Sequence, residues 1–136
     1  MNKSQFAFPV DGALLAVTVW EPEQRFACRG AIQVLHGMAE HSGRYERLAH
    51  ALVAEGYAVC AHDHRGHGLS VTEPEQWGLF AERDGWSKVV DDAHRLFCHM
   101  SERWPGVPHI VFGHSMGSFI ARRCLQLYDS EYDGAI

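Results

Sequence analysis

Apolar positions along the chain follow two periods, one typical of strands and one typical of helices. Residues 4–9 and 13–20 have the pattern of two strands, and the Asp11-Gly12 pair between them predicts a hairpin turn. Three further strands are predicted by short apolar runs, and a fourth begins in the last residues of the sequence: 31–35, 57–61, 109–112 and 134–136.

Helical periodicity predicts three helices between these strands, over about 44–55, between Asp84 and Pro105, and over about 116–128. Asp84 is the expected N-terminal cap of the second helix. Strands that alternate with helices imply a mostly parallel sheet covered on both faces, so the predicted fold class is α/β. The apolar positions expected to be buried are Tyr45, Leu48, Ala49, Leu52 and Val53 on the first helix, Trp86, Val89, Val90, Ala93, Leu96, Phe97 and Met100 on the second, and Met116, Phe119, Ile120, Cys124 and Leu127 on the third.

Composition narrows the classes of partner and compartment. The 136 residues suffice for a single domain with a core, and 46% of them are hydrophobic, which argues against disorder. A net charge of −5 and the absence of any basic run argue against a nucleic-acid partner. The apolar stretch 12–20 is too short for a membrane span, which needs about 20 residues. The four cysteines are far apart, which predicts reduced thiols and a cytoplasmic protein.

The strongest chemical signal is the run Gly113-His114-Ser115-Met116-Gly117 between a predicted strand and a predicted helix. In a GxSxG motif with these flanks, the serine lies on a sharp turn that lifts its hydroxyl clear of the sheet. The turn strains the serine backbone, and the close neighbours on either side leave room only for glycine. The sequence therefore predicts Ser115 as a catalytic nucleophile. The alternative is a chance match in a glycine-containing loop.

A second signal, Leu35-His36-Gly37-Met38, follows an earlier predicted strand. A nucleophilic serine needs two backbone N–H groups aimed at the oxyanion of the tetrahedral intermediate. Met116, the residue after the serine, would supply one, and Met38 would supply the other. The alternative is an ordinary turn at the end of a strand.

The sequence contains HGMAEHSGRY at 36–45, DHRGHGLS at 63–70 and GHSMG at 113–117. Together these runs resemble motifs of the α/β-hydrolase family, in particular the monoacylglycerol lipases and the bacterial lysophospholipase-like serine hydrolases. The resemblance implies an α/β-hydrolase fold with an N-terminal antiparallel hairpin. It also implies that residues 1–136 are the N-terminal part of one hydrolase domain, truncated before its C-terminal strands and cap.

The same resemblance implies roles for individual residues. Glu40, His41 and Arg44 match a segment that borders the alcohol part of the lipase site. They are therefore candidate substrate contacts. A structural alternative is that Glu40 and Arg44 simply pair across the loop. The remaining assignments are the nucleophile Ser115, the oxyanion donors Met38 and Met116, the supporting motif residues His36, Gly37, Gly113, His114 and Gly117, and the bracing loop residues Asp63, Arg65, Gly66 and Gly68.

One departure from the family pattern is large. The family's triad acid and histidine follow the nucleophile, but no histidine follows Ser115 in this sequence. The later carboxylates Asp129, Glu131 and Asp133 come too early to be the triad acid. The resemblance thus implies a cofactor-independent carboxylic ester hydrolase whose general base lies outside this sequence. The alternative is a non-catalytic fragment or interaction module. Either could self-associate or require a complementing C-terminal half.

A run of histidines, His62-Asp63-His64-Arg65-Gly66-His67, superficially resembles a zinc-binding cluster. Its spacing does not match a known metal motif, and the hydrolase loop accounts for the same residues. The sequence analysis therefore predicts no metal site.

Overall fold

The computed structural model describes residues 1–24 and 28–136. Within that part of the chain, one six-stranded sheet is packed between helices. The strands are β1 (Asn2–Val10), β2 (Ala13–Glu21), β3 (Gly30–Leu35), β4 (Tyr57–His62), β5 (His109–Gly113) and β6 (Gly134–Ala135); the helices are α1 (Glu46–Ala54), α2 (Gly85–Arg103) and α3 (Met116–Tyr128).

The strand order is β1-β2-β4-β3-β5-β6. β1 and β2 form the predicted antiparallel hairpin, and β2 also runs antiparallel to β4. From β4 onward, every pairing is parallel. The predicted α/β class, mostly parallel with an N-terminal hairpin, is confirmed. In the central β3–β5 pair, Leu35 lies opposite Gly113. The two chemical motifs therefore leave adjacent strands at the same edge of the sheet.

Alternate side chains of β3 point to opposite faces of the sheet, as a strand requires. Ile32 and Val34 pack in the cluster that includes α1. On the other face, Leu35 packs with α2 and α3. Gln33, fully buried on that face, donates a 2.8 Å hydrogen bond to the carbonyl of Ala93 in α2. Helices thus cover both faces, which explains why all six residues of β3 are buried.

The predicted side-chain cap at Asp84 is wrong. Asp84 adopts a left-handed conformation with φ of 56°, and its side chain makes no capping hydrogen bond. Only its backbone carbonyl serves the helix, accepting a 3.0 Å hydrogen bond from the N–H of Lys88. A capping side chain needs an extended backbone to reach the first-turn N–H groups, and the left-handed turn does not provide one.

Three apolar residues predicted to be buried are instead exposed. Trp86 on α2 is 43% exposed, and Phe119 and Leu127 on α3 are 59% and 48% exposed. Periodicity identifies apolar positions but not the width of the stripe that a neighbour covers. α3 packs inward through Ile120 and Cys124, and Phe119 and Leu127 lie beside that stripe.

The long connection between β4 and α2 is irregular, as predicted, apart from two short 3-10 helices at Gly68–Ser70 and Pro74–Gln76. Another 3-10 helix, Ser42–Tyr45, leads directly into α1. Among the described residues, no helix is both long enough and apolar enough to cross a bilayer.

Candidate active site

Ser115 lies on the sharp turn between β5 and α3, as the motif predicts. β5 ends at Gly113 and α3 begins at Met116. Ser115 has φ of 52° and ψ of −118°, a conformation that few non-glycine residues adopt. Backbone strain of this kind costs about 1–3 kcal/mol and clusters at functional sites. The residue is exposed, and its hydroxyl makes no hydrogen bond to any described residue.

The glycines on either side of Ser115 are required by close packing. A Cβ on Gly117 would lie 2.0 Å from the carbonyl oxygen of Leu35, and one on Gly113 would lie 2.6 Å from the carbonyl oxygen of Gly117. Both neighbours are backbone atoms, which cannot rotate away. The turn therefore forms only because the first turn of α3 rests directly on the end of β3.

The loop after β3 packs against this turn. A Cβ on Gly37 would lie 3.2 Å from the Cβ of Ser115. The carbonyl of Leu35 accepts a 3.1 Å hydrogen bond from the N–H of His114, which ties the two loops together. Among the described residues, the backbone N–H groups of Met38 and Met116 donate to no protein acceptor. The structure therefore leaves at least one N–H without a protein acceptor in each of the two loops.

Glu40 organises the loop after β3. Its Oε2 accepts hydrogen bonds from the Gly37 N–H at 2.9 Å and from the Tyr45 hydroxyl at 2.8 Å, and it lies 3.3 Å from His114 Nδ1. Its Oε1 lies 3.3 Å from the Arg44 guanidinium, so the pairing that the sequence left open is present. The bond from the Gly37 N–H, then the one from the Tyr45 hydroxyl, lowers the pKa of Glu40 to about 2.

An open cavity of about 440 Å³ borders this loop. Met38 and His41 line one side, and Trp77, which is 62% exposed, lines the other. The sequence analysis did not single out Trp77. An aromatic residue in a polar loop was the available signal, but only the fold brings it opposite Met38. Three other surface cavities of comparable size include neither Ser115 nor any of the predicted oxyanion and substrate-contact residues.

Three histidines form a buried, hydrogen-bonded chain beneath the loop. His36 Nε2 accepts a 3.0 Å bond from the His64 N–H, and His36 Nδ1 lies 2.7 Å from the Gly37 carbonyl. His64 in turn lies 3.0 Å from His62 between ring nitrogens. Burial lowers the pKa of His36 to about 4 and that of His62 to about 3. Both rings are therefore neutral at pH 7. Both nitrogens of His36 are occupied, which leaves it no lone pair for Ser115.

The loop after β4 braces the site from below. The Asp63 carboxylate accepts hydrogen bonds from the backbone N–H groups of Ser42 at 2.6 Å and Leu69 at 2.7 Å. The buried Arg65 guanidinium forms two bonds to Asp92 on α2, at 2.6 and 3.0 Å. These contacts match the bracing role that the resemblance implies, and the histidines of this segment are held by the same packing.

The predicted site residues thus gather at one edge of the sheet. Ser115, Gly37, Met38 and Glu40 come together around the start of α3. His114 is exposed and faces Glu40. His41 and Arg44 are exposed beside the same loop.

Comparison with known proteins identifies the family. The Hydrolase_4 model, described as serine aminopeptidase, S33, matches residues 27–136. The chain belongs to this family. Its matched region includes β3, β4, β5 and α3, and therefore every residue of the candidate site.

Several curated relatives of this Hydrolase_4 chain are lipases by name. A monoacylglycerol lipase of Mycolicibacterium smegmatis is 35% identical over 136 residues, which cover 99% of this chain and 46% of that protein. Human monoglyceride lipase is 38% identical over 118 residues, covering 82% of this chain and 34% of that protein. The chain thus spans less than half the length of these relatives.

Solved structures agree with the fold. A thermostable carboxyl esterase from Bacillus coagulans, solved in complex with glycerol, superposes with a TM-score of 0.89 at 30% identity, over 99% of this chain and 43% of that one. A monoglyceride lipase variant from Saccharomyces cerevisiae superposes with a TM-score of 0.79 at 23% identity, over 99% of this chain and 43% of that one, which supports the α/β-hydrolase fold alone.

Proposed function

We propose that this Hydrolase_4 chain supplies the nucleophile and the oxyanion hole of a serine hydrolase acting on carboxylic esters. The observation that carries the proposal is the strained, exposed Ser115 at the first turn of α3. The backbone N–H groups at a helix N-terminus favour negative charge. Attack by the Ser115 oxygen on an ester carbonyl would therefore develop its negative charge where the protein stabilises it.

Two backbone donors would hold that charge. Met116 and Met38 have N–H groups without a protein acceptor among the described residues, on loops that the Leu35–His114 hydrogen bond ties together. Glu40 would act as a positioning residue, because it fixes the Gly37 N–H next to Met38. In this proposal the Met38 and Met116 side chains matter less than the backbone geometry. Removing one oxyanion donor typically lowers kcat by about 10²–10³.

The general base would lie outside these 136 residues. No histidine follows Ser115, and the buried His36 already uses both ring nitrogens. A histidine oriented by an acid would accept the Ser115 proton and return it to the leaving alcohol, forming an acyl-enzyme. Water, activated by the same histidine, would then release the carboxylic acid. No cofactor is required by this chemistry.

The proposed substrates are monoacylglycerol- or lysophospholipid-like esters. The names of the curated relatives and the glycerol bound to the Bacillus coagulans esterase favour this class. The cavity lined by Met38 and Trp77 includes the proposed oxyanion donor Met38, so part of an ester held at Ser115 would extend into it. His41, which lines the cavity, and Arg44, which is exposed on the same loop, would contact the hydroxyl groups of the alcohol.

A fluorophosphonate probe tests the nucleophile. We expect the probe to modify Ser115 in the protein expressed at the full length its gene encodes, and Ser115→Ala to abolish labelling. Ser118→Ala is the matched control, because Ser118 lies one turn further along α3. Labelling that persists in Ser115→Ala, or that is lost in Ser118→Ala alone, would refute the assignment.

Substrate profiling tests the reaction class. The same protein should hydrolyse monoacylglycerols and short p-nitrophenyl esters faster than amino-acid p-nitroanilides. The comparison matters because the family description names an aminopeptidase. Preferential cleavage of the anilides would contradict the ester assignment.

A non-catalytic scaffold is the second candidate, favoured by the lack of any histidine after Ser115. It predicts neither probe labelling nor turnover in the full-length protein. Both candidates use the same fold, so the probe experiment separates them directly.

We also propose that further hydrolase-domain sequence covers the exposed residues of α3 and β6. Phe119 and Leu127 on α3 are about half exposed or more, and Ile136 beside β6 is 69% exposed. The relatives are more than twice as long as the stretch they share with this chain. Residues 1–136 alone should therefore be nearly inactive and prone to self-association. Size-exclusion chromatography and an ester assay check both expectations.

A cytoplasmic location fits the chemistry of the cysteines. Cys28, Cys60, Cys98 and Cys124 are all free. Disulfides form mainly in oxidising compartments, so four unpaired thiols favour a reducing one. Fractionation of cells that express the tagged protein would test this proposal; recovery from the extracellular medium would contradict it.

A further inference from the structure

A cluster of potential metal ligands lies apart from the serine site. His94 and Cys98 are four residues apart on α2, so both side chains project from one face of the helix. Glu131 reaches them from the 3-10 helix Asp129–Glu131, which follows α3. His94 Nε2 lies 2.7 Å from Glu131 Oε2, and Cys98 Sγ lies 3.5 Å from the former and 3.9 Å from the latter.

These separations approach those of a tetrahedral zinc site. Zinc bonds of about 2.0–2.3 Å at tetrahedral angles place ligand atoms about 3.3–3.6 Å apart. The His94–Cys98 separation of 3.5 Å falls in that range. The His94–Glu131 separation is shorter than this range, and the Cys98–Glu131 separation is longer. Both involve Glu131, whose half-exposed side chain is free to adjust. A nitrogen, a thiol sulfur and a carboxylate oxygen together match the ligand types that zinc accepts.

The imidazole of His94 is already fixed in a binding orientation. Its ring stacks on that of Tyr128, with centroids 3.5 Å apart and planes 6° from parallel. Cys98 borders an open surface groove, so an ion can reach the cluster and retain a water ligand. Glu102, one helical turn beyond Cys98, borders the same groove and offers a further oxygen.

We propose that His94 Nε2, Cys98 Sγ and Glu131 Oε2 bind one divalent cation of the zinc class, with water or Glu102 completing the coordination. Binding replaces the thiol proton of Cys98, which leaves to solvent as the metal–sulfur bond forms, and His94 binds through the Nε2 lone pair as the neutral tautomer with its proton on Nδ1. The ion would fasten the segment before β6 to α2. The proposal departs from the sequence-based expectation of no metal, which considered only the His62–His67 cluster.

Metal titration of the chelator-treated full-length protein tests this proposal. We expect one equivalent of Zn²⁺ to bind with a dissociation constant of roughly micromolar or tighter. Co²⁺ in its place should give a thiolate-to-cobalt charge-transfer band in the near ultraviolet. Cys98→Ser should abolish that band and weaken Zn²⁺ binding on the order of 100-fold, and Glu131→Gln should weaken binding at least about 10-fold.

Two matched variants control for adventitious binding. Cys28→Ser removes another half-buried thiol, which donates to the Gly30 carbonyl at 3.2 Å. His50→Gln removes an exposed helical histidine paired with Glu46, also at four-residue spacing. Neither should change Zn²⁺ affinity or the cobalt band.

Unchanged binding in Cys98→Ser, or an equal loss in Cys28→Ser, would overturn the proposal. Circular dichroism of each metal-free variant verifies that it is folded. If Cys98→Ser does not fold, Glu131→Gln decides the question, because Glu131 is exposed at the surface; unchanged affinity in that variant would refute the site.

Discussion

The inner end of helix α3, which is its first turn at Met116 and Gly117, and the outer face of the same helix differ in how closely the rest of the chain packs against them. At the inner end, Gly117 packs on the carbonyl of Leu35, and Glu40 fixes the neighbouring loop through four contacts. On the outer face, by which we mean Phe119 and Leu127, large apolar side chains are exposed to water. Contacts within residues 1–136 thus fix the backbone geometry of the proposed nucleophile. The outer face of α3 has no comparable contacts, and we propose that further hydrolase sequence covers it.

The largest loss of stability should come from adding a side chain at Gly117, at the inner end of α3. Gly117→Ala would place a Cβ 2.0 Å from the Leu35 carbonyl oxygen, so α3 or β3 must shift. We expect a loss of more than about 5 kcal/mol in the free energy of unfolding, or failure to fold. Chemical denaturation followed by tryptophan fluorescence measures it.

Gly134→Ala is the matched control, since its Cβ would meet Ile110 at an ordinary 3.6 Å. That variant should stay within about 1 kcal/mol of the parent. If Gly117→Ala were as stable as Gly134→Ala, the close contact between the serine turn and β3 would not determine the packing of the inner end.

The next largest loss of stability should come from breaking the ion pair between Arg65, in the loop after β4, and Asp92 on α2. The side chains of Arg65 and Asp92 are at most 5% exposed. Asp92→Ala therefore leaves a buried guanidinium without its carboxylate partner. Breaking a buried ion pair in this way costs about 3–5 kcal/mol. Asp91→Ala, which removes an exposed pair with Arg95 at 3.7 Å, should cost less than about 0.5 kcal/mol. Urea denaturation of the two variants should separate them clearly; equal midpoints would contradict the bracing role of Arg65.

The buried histidines predict a dependence of stability on pH. Burial lowers the pKa of His36 from 6.5 to about 4 in the folded protein. Above pH 6.5 His36 is unprotonated in both the folded and the unfolded state, so it adds no dependence of stability on pH there. Below it the unfolded chain takes up the proton and the folded protein does not, so stability falls until about pH 4. His36 alone should contribute on the order of 3 kcal/mol to that fall.

Thermal unfolding between pH 7.5 and pH 4 measures this dependence. His36→Asn should flatten the decline of Tm with falling pH, even if the variant is less stable at pH 7.5. His50→Gln, at an exposed position, should leave the decline unchanged. An identical decline in the parent and in His36→Asn would rule out His36 as its source.

The sequence predicted features that depend on the local chain better than features that depend on packing between distant segments. Local rules predicted the hairpin and the serine turn, because each depends on neighbours in the chain, and the alternation of strands with helices predicted the parallel sheet. They failed for Asp84, whose left-handed backbone is not encoded in its residue type. They also failed for Phe119 and Leu127, because burial depends on which surfaces meet. Trp77 and the His94–Cys98–Glu131 cluster required the fold, since their members come from different segments.

The smallest change in stability should come from the outer face. A Phe119→Ser/Leu127→Ser double variant truncates side chains that are about half exposed, so the free energy of unfolding of residues 1–136 should change by less than about 1 kcal/mol per site. Its self-association should nevertheless fall, because exposed apolar side chains drive contacts between copies. Sedimentation velocity at several concentrations measures that fall.

Arg122→Ser/Arg123→Ser is the matched control, because it alters exposed polar residues of the same helix. It should leave self-association of residues 1–136 unchanged. In the full-length protein the expectation reverses. If further hydrolase sequence covers Phe119 and Leu127, the double variant loses buried contacts there and should be destabilised by about 2–5 kcal/mol, as for other large-to-small core changes. Equal small effects in both lengths would mean that the outer face stays in water, and would refute the proposed covering.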